Sequence, residues 1–307
     1  MPKINLLNSY GLVVTISLIL GLVTGGSPIF QAEITIVVLA VMMMLSLSEI
    51  DFRSVFFKGI IGKTSVTLLL NYGLLTGLIL AISLLFTEDL RSGWILMAAV
   101  PSAIAVVPFS YILKANTGLA LMGTTTIYMI ALLIAPSLAI AGIGQGIDQS
   151  RLIYTIIILI VIPIGLSRIP NLRKIRSTTK TPMINLCFGV LVFIMTGANR
   201  GAFTEEASMV FWVALASLLR TFGVGLSVLA VLRFIKTESR TAKVYVLFSS
   251  YKNLGLTAAL AMALISYEAA IPATICIPFE LVWLVFLKHI TTNRPDITKE
   301  ENRPEKN

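Results

Sequence analysis

Ten apolar runs, each about the length of one bilayer-spanning helix, take up most of this chain; they lie near residues 10–27, 32–48, 64–86, 93–113, 117–142, 151–167, 182–199, 207–233, 242–266 and 270–289. The connections between them are short, which leaves no room for a soluble catalytic domain. Charged residues make up 13% of the chain, against about 25% in a soluble domain. The runs therefore predict an all-α polytopic membrane protein of ten transmembrane helices, with the lipid bilayer as its solvent. The first run has the outline of a signal peptide, with Lys3 before it and Gly25-Gly26-Ser27 after it. It is long for one, and the charge pattern needs it as a span.

Basic residues assign the two faces. If all ten runs cross, 19 of the 24 Lys and Arg fall on one side, from Lys3 through Lys306, and only Arg91, Arg151 and Arg200 on the other. Cytoplasmic loops collect basic residues, so both termini are expected in the cytoplasm of a cell (inner or plasma) membrane. The net charge of +9 is absorbed by this bias and gives no reason to expect a nucleic-acid partner. The tail 291–307 is polar and reads as cytoplasmic and disordered. Cys187 and Cys276 lie in separate apolar runs and read as packing residues, and His289 is the single histidine. No metal site, haem site or other resident cofactor is expected from that inventory.

An even span count permits two five-helix halves, about 10–142 and 151–289. The second would enter the membrane from the opposite side, giving an inverted repeat within one unit over 1–290. The fourth span of each half is unusual. Pro101 and Pro108 bracket Ser102 through Val107 in the first. In the second, Phe248-Ser249-Ser250-Tyr251-Lys252-Asn253-Leu254-Gly255 sets polar and glycine positions at mid-membrane. Interrupted backbone at that depth survives only where protein or water satisfies it, and paired interruptions mark the binding site of many secondary transporters. A proline kink beside a polar helix seam is the plainer alternative.

Three stretches carry a resemblance. Met43-Met44-Leu45-Ser46-Leu47 leads to Asp51-Phe52. Pro101 is followed by Tyr111-Ile112-Leu113-Lys114-Ala115-Asn116, then Leu119-Ala120-Leu121 and Thr124. The third is Asn253-Leu254-Gly255-Leu256-Thr257-Ala258-Ala259-Leu260. Over about residues 10–290 the chain resembles the bile acid:sodium symporter family, within the superfamily that holds arsenite permeases and auxin-efflux-like carriers. The resemblance implies a core of helices 3–5 and 8–10, a panel of helices 1, 2, 6 and 7, and crossing broken helices 4 and 9. It also implies sodium-driven uptake of organic anions such as steroid conjugates, keto acids or vitamin precursors.

The sodium positions of that family are degenerate here. Its serine–asparagine pair at the fourth-helix break falls on Val106 and Val107, its fifth-helix serine on Ala120, and its ninth-helix glutamate on Phe248. The glutamine before the conserved asparagine becomes Lys252, the third-helix glutamine becomes Asn71, and the threonine remains as Thr124. Sodium needs several hard oxygen ligands, which valine, alanine and phenylalanine side chains lack.

Lys252, Arg220 and Glu280 lie well inside spans. Each costs at least about 2.5–3.5 kcal/mol at the bilayer centre, so each is a functional candidate or half of a structural pair. These residues, with Asn253, Thr124 and Asn71, form the expected substrate and ion site. The expected function is secondary active transport of a small organic anion, not enzymatic. Lys252 would replace sodium, Glu280 would be its partner when substrate is absent, and sodium or a proton would be the coupling ion. A conventional sodium symporter, a channel, and a non-transporting membrane enzyme or receptor remain as alternatives. The sequence does not name the substrate or the oligomeric state.

Overall fold

A computed structural model describes residues 9–27, 31–48, 61–144 and 148–292, together with Leu7 and Ile29. Asp51-Phe52, Lys3, Arg53, Lys58 and the tail beyond Thr292 fall outside the described residues. What is described is 85% helix and contains no strand. Among the described residues five helices are long and apolar enough to cross a membrane: Gly62–Ser83, Thr117–Ile143, Thr178–Ala198, Ala207–Phe234 and Glu268–Thr291. Three shorter apolar helices join them, Tyr10–Thr24, Gln31–Leu47 and Ile153–Leu166. Large apolar side chains lie open on the outside, among them Leu69, Leu133, Phe211 and Val285. A belt of that kind suits lipid and would drive aggregation in water.

The helices are α1 (Tyr10–Thr24), α2 (Gln31–Leu47), α3 (61–83), α4 (Glu88–Ala99), α5 (Val106–Ile112), α6 (Thr117–Ile143) and α7 (149–166). They continue with α8 (Pro170–Lys174), α9 (Ser177–Ala198), α10 (Arg200–Glu205), α11 (207–234), α12 (Ser239–Ser250), α13 (Leu254–Leu264) and α14 (Ile271–Thr292). Helix α9 packs along α1 and α2, and α7 packs on α2. A second group forms from α3, α4, α6, α11, α12 and α14, and α13 touches both groups through α2 and α4.

Glycine permits the tightest of these contacts. Helix α1 ends on Gly25 and Gly26, both left-handed at φ +83° and +75°, where a side chain would be strained. A Cβ at Gly197, near the end of α9, would lie 2.1 Å from the Gly26 nitrogen. Gly197→Ala is therefore expected to force α1 and α9 apart and cost about 1–3 kcal/mol, the usual range for overpacking. Gly201, with nothing within 4 Å of a Cβ, is the matched control. Thermal midpoints in detergent check this: the first variant falls by several degrees and Gly201→Ala does not.

The interruptions differ in detail from the sequence expectation. Pro101 does end a helix, because the residue before a proline is pushed to extended backbone, and Val100 has φ −67° and ψ 157°. Pro108 breaks nothing. It sits in the first turn of α5, where its missing N–H would have had no helical partner. The second interruption is shorter than the polar stretch that announced it. Helix α12 runs through Ser250, and only Tyr251, Lys252 and Asn253 leave the helix. Three helices also contain π turns that the sequence did not announce, Leu69–Leu75 in α3, Ile157–Val161 in α7 and Leu219–Gly223 in α11.

Candidate functional site

The two interruptions meet. The Asn253 N–H donates to the Pro101 carbonyl at 2.9 Å, tying one broken segment to the other through main chain. The Asn253 side chain caps α13, its Oδ1 accepting from Leu256 N–H at 3.0 Å. Its amide Nδ2 donates to the Tyr128 hydroxyl at 2.8 Å.

Ending a helix in a dry interior strips its last carbonyls of helical donors, and something else must supply them. At the end of α4 the Thr76 hydroxyl donates to Ala98 O at 2.8 Å, and the larger supplier is Lys252. Its Nζ donates to Ala98 O at 3.1 Å and Val100 O at 2.9 Å. It also reaches Thr76 Oγ1 at 2.9 Å and Asn71 Oδ1 at 3.3 Å. The Tyr72 ring centroid lies 4.6 Å from the same nitrogen, within cation–π range. Lys252 is completely buried. Its ammonium thus occupies a nest of neutral oxygens, the ligand type that suits a hard cation. The negative end of the α4 dipole adds to the attraction.

At the end of α12 the suppliers are Asn71 and Arg220. Asn71 Nδ2 donates to Phe248 O at 2.9 Å and Tyr251 O at 3.3 Å. The Arg220 guanidinium donates to Ser250 O at 3.4 Å. Asn71 and Arg220 each lie in a π turn, of α3 and α11. Such a turn shifts side chains off the ordinary helical faces and is frequent at functional sites.

Glu280 is placed differently from the sequence expectation. Its Oε1 pairs with Arg220 and accepts the backbone N–H of Lys252 at 3.3 Å, while the Lys252 ammonium points to the oxygen nest instead. The Tyr251 hydroxyl holds the Glu280 carbonyl at 2.8 Å, and Trp283 Nε1 donates to Ser250 Oγ at 3.0 Å. Lys252 and Arg220 against Glu280 leave this buried set one positive charge in excess.

A cavity of about 500 Å³ opens beside the interruptions. One wall comes from α1, α2 and α9, with Tyr10, Met42 and Phe188; Ser9, Ser46, Thr181 and Asn185 add polar points. The facing wall runs through Ala103, Ile104, Ala105 and Val107, then Lys252 to Gly255, and Glu280. Most of the lining is apolar, with the first turn of α13 at its edge.

The expected site residues separate into layers. Asn253, Lys252 and Glu280 line the cavity, whereas Asn71 and Arg220 sit behind them as partners. Thr124 is buried, its Oγ1 has no hydrogen-bond partner among the described residues, and it is not among the residues that line the cavity. Val106, Ala120 and Phe248 pack into one apolar cluster, and Val107 lines the cavity. A Cβ at Gly123 would lie 2.7 Å from the Phe248 ring, so the ring already fills that space. Thr76, Tyr72 and Tyr128 were missed by sequence reasoning. Thr76 is five residues from Asn71, off its face in a regular α-helix, and the π turn brings the two into contact at 3.1 Å. No family model matches the chain, and no curated protein does.

Proposed function

We propose that this chain is a secondary active transporter of a small organic anion, built like the bile acid:sodium symporter family, with Lys252 standing in for sodium. Ten spans are the reading that the five long helices, the three shorter apolar ones, and the interrupted pairs α4–α5 and α12–α13 support. The halves correspond in this reading: the third span of each carries a π turn and the fourth is broken. That likeness supports an inverted repeat, with α1, α2, α7 and α9 as the panel and the remaining long and broken helices as the core. The 19 basic residues on one face support cytoplasmic termini in a cell membrane.

The observation that carries the proposal is the Lys252 ammonium held by four neutral oxygens at the end of α4, where the two interruptions are bonded together. It provides fixed positive charge beside a cavity whose apolar walls suit an organic body. The positive end of α13 and the excess positive charge of the buried set both favour an anionic group.

The test is initial uptake of radiolabelled taurocholate, pyruvate and pantoate into proteoliposomes, with sodium exchanged for choline at fixed pH and potential. Saturable uptake of at least one anion at an unchanged rate is expected. A steep, saturable dependence on sodium would restore a conventional sodium symporter. Absence of any uptake under every imposed gradient would remove the transport reading altogether.

A further inference from the structure

Among the described residues Glu280 is the one carboxylate on the cavity wall, and it joins three parts of the site. Its Oε1 is committed to Arg220 and to the Lys252 backbone N–H, inside the α12–α13 interruption. Among the described residues no donor reaches its Oε2. The side chain keeps 11% of its surface exposed, whereas the Arg220 side chain keeps none. An incoming anion therefore meets this carboxylate before it meets the guanidinium behind it.

We infer that Glu280 is the proton-binding site that couples anion entry to proton entry. Ionised, the carboxylate repels an anion and neutralises Arg220. When a hydronium ion gives its proton to Oε2, an O–H bond forms, water leaves, and the ion pair loses its negative member. The neutral acid then presents a donor to the cavity, and the Arg220 charge behind it becomes available to the anion. Glu280 and the anion thus alternate as counter-charge to Arg220, so the anion enters with one proton and a monoanion crosses electroneutrally.

The groups around Glu280 fit this assignment. Arg220 from α11 is its ion partner, and the Lys252 ammonium is engaged at the end of α4. The other titratable groups in its field are the Tyr10 phenol of α1, the Tyr251 phenol beyond α12 and the Cys276 thiol one turn earlier on α14. None of these is a carboxylate that would share the proton.

The inference rests on the transport reading, and proteoliposome uptake of the same three anions separates the two. In the wild type, an imposed pH gradient, acid outside, should drive uptake, each pH unit supporting about tenfold accumulation at one proton per anion. An imposed potassium-diffusion potential should leave taurocholate uptake unchanged. Glu280→Gln keeps an acceptor for Arg220 and the Lys252 N–H while fixing the neutral state. Any exchange of internal for external anion that it supports should run at a rate independent of pH, and accumulation driven by the pH gradient should be lost. Glu280→Asp, which still titrates, should keep that drive in part, and size-exclusion profiles identify any variant that fails to fold. Uptake indifferent to the pH gradient in the wild type, or a pH-driven Glu280→Gln, overturns the inference alone. No uptake of any anion under any gradient removes the transport reading and this inference with it.

Discussion

Lys252→Ala is expected to reduce sodium-free uptake by about a hundredfold, close to losing one to two charge-assisted hydrogen bonds at roughly 1.5–3 kcal/mol each. The substitution strips Ala98 O, Val100 O, Thr76 Oγ1 and Asn71 Oδ1 of their common donor. It also leaves the end of α4 without a countercharge. Because the vacated nest is made of neutral oxygens, sodium should enter it and recover part of the uptake, giving the variant a sodium dependence not expected of the wild type. Lys252→Arg should recover less than sodium does, since a planar guanidinium does not match acceptors gathered around one nitrogen. Uptake rates of the three proteins across a sodium series decide the matter. An alanine variant working at the wild-type rate in choline would show that the ammonium is not needed.

Arg220→Met is expected to be the most destabilising single change in the site. Removing one member of a buried ion pair leaves the other charged and unpaired, at a cost of about 3–5 kcal/mol. Here Glu280 would keep only the Lys252 N–H, and Ser250 O would lose its guanidinium donor. Replacing both members by apolar residues removes the stranded charge, so Arg220→Met combined with Glu280→Leu should recover most of the lost stability. The pair of thermal midpoints in one detergent tests this. A double variant no more stable than Arg220→Met would locate the loss in packing against Met97 and Thr221, which the guanidinium also touches.

The parts of this protein legible in its sequence are those governed by local rules. Apolar run length set the helices to within a few residues, and Pro101 announced its break because it constrains Val100 directly. The polar stretch 248–255 located the second break but overstated it: Ser249 and Ser250 bond back to Val246 O inside the helix, as serine readily does. The nest was beyond reach. The four oxygen partners of Lys252 lie between 152 and 181 residues away in the chain, and one of them depends on a π turn. The sequence reading assigns Glu280 to Lys252, whereas the carboxylate pairs with Arg220. The choice of Arg220 follows from which side of the break each one occupies, and only the packing of α11 against α12 and α14 determines that.

A cation carried on a side chain behaves unlike one drawn from solution. Occupancy of an ion site follows the bathing concentration, whereas the local concentration of a tethered group is fixed by its stem. In the proposed cycle the Lys252 nest would be as full in salt-poor water as in seawater. In that cycle the same tether would bring the ammonium back with the protein on every turnover, so its movement would dissipate no ion gradient and perform no osmotic work. Holding charge and supplying energy, which a dissociable ion does together, become separate duties assigned to different atoms.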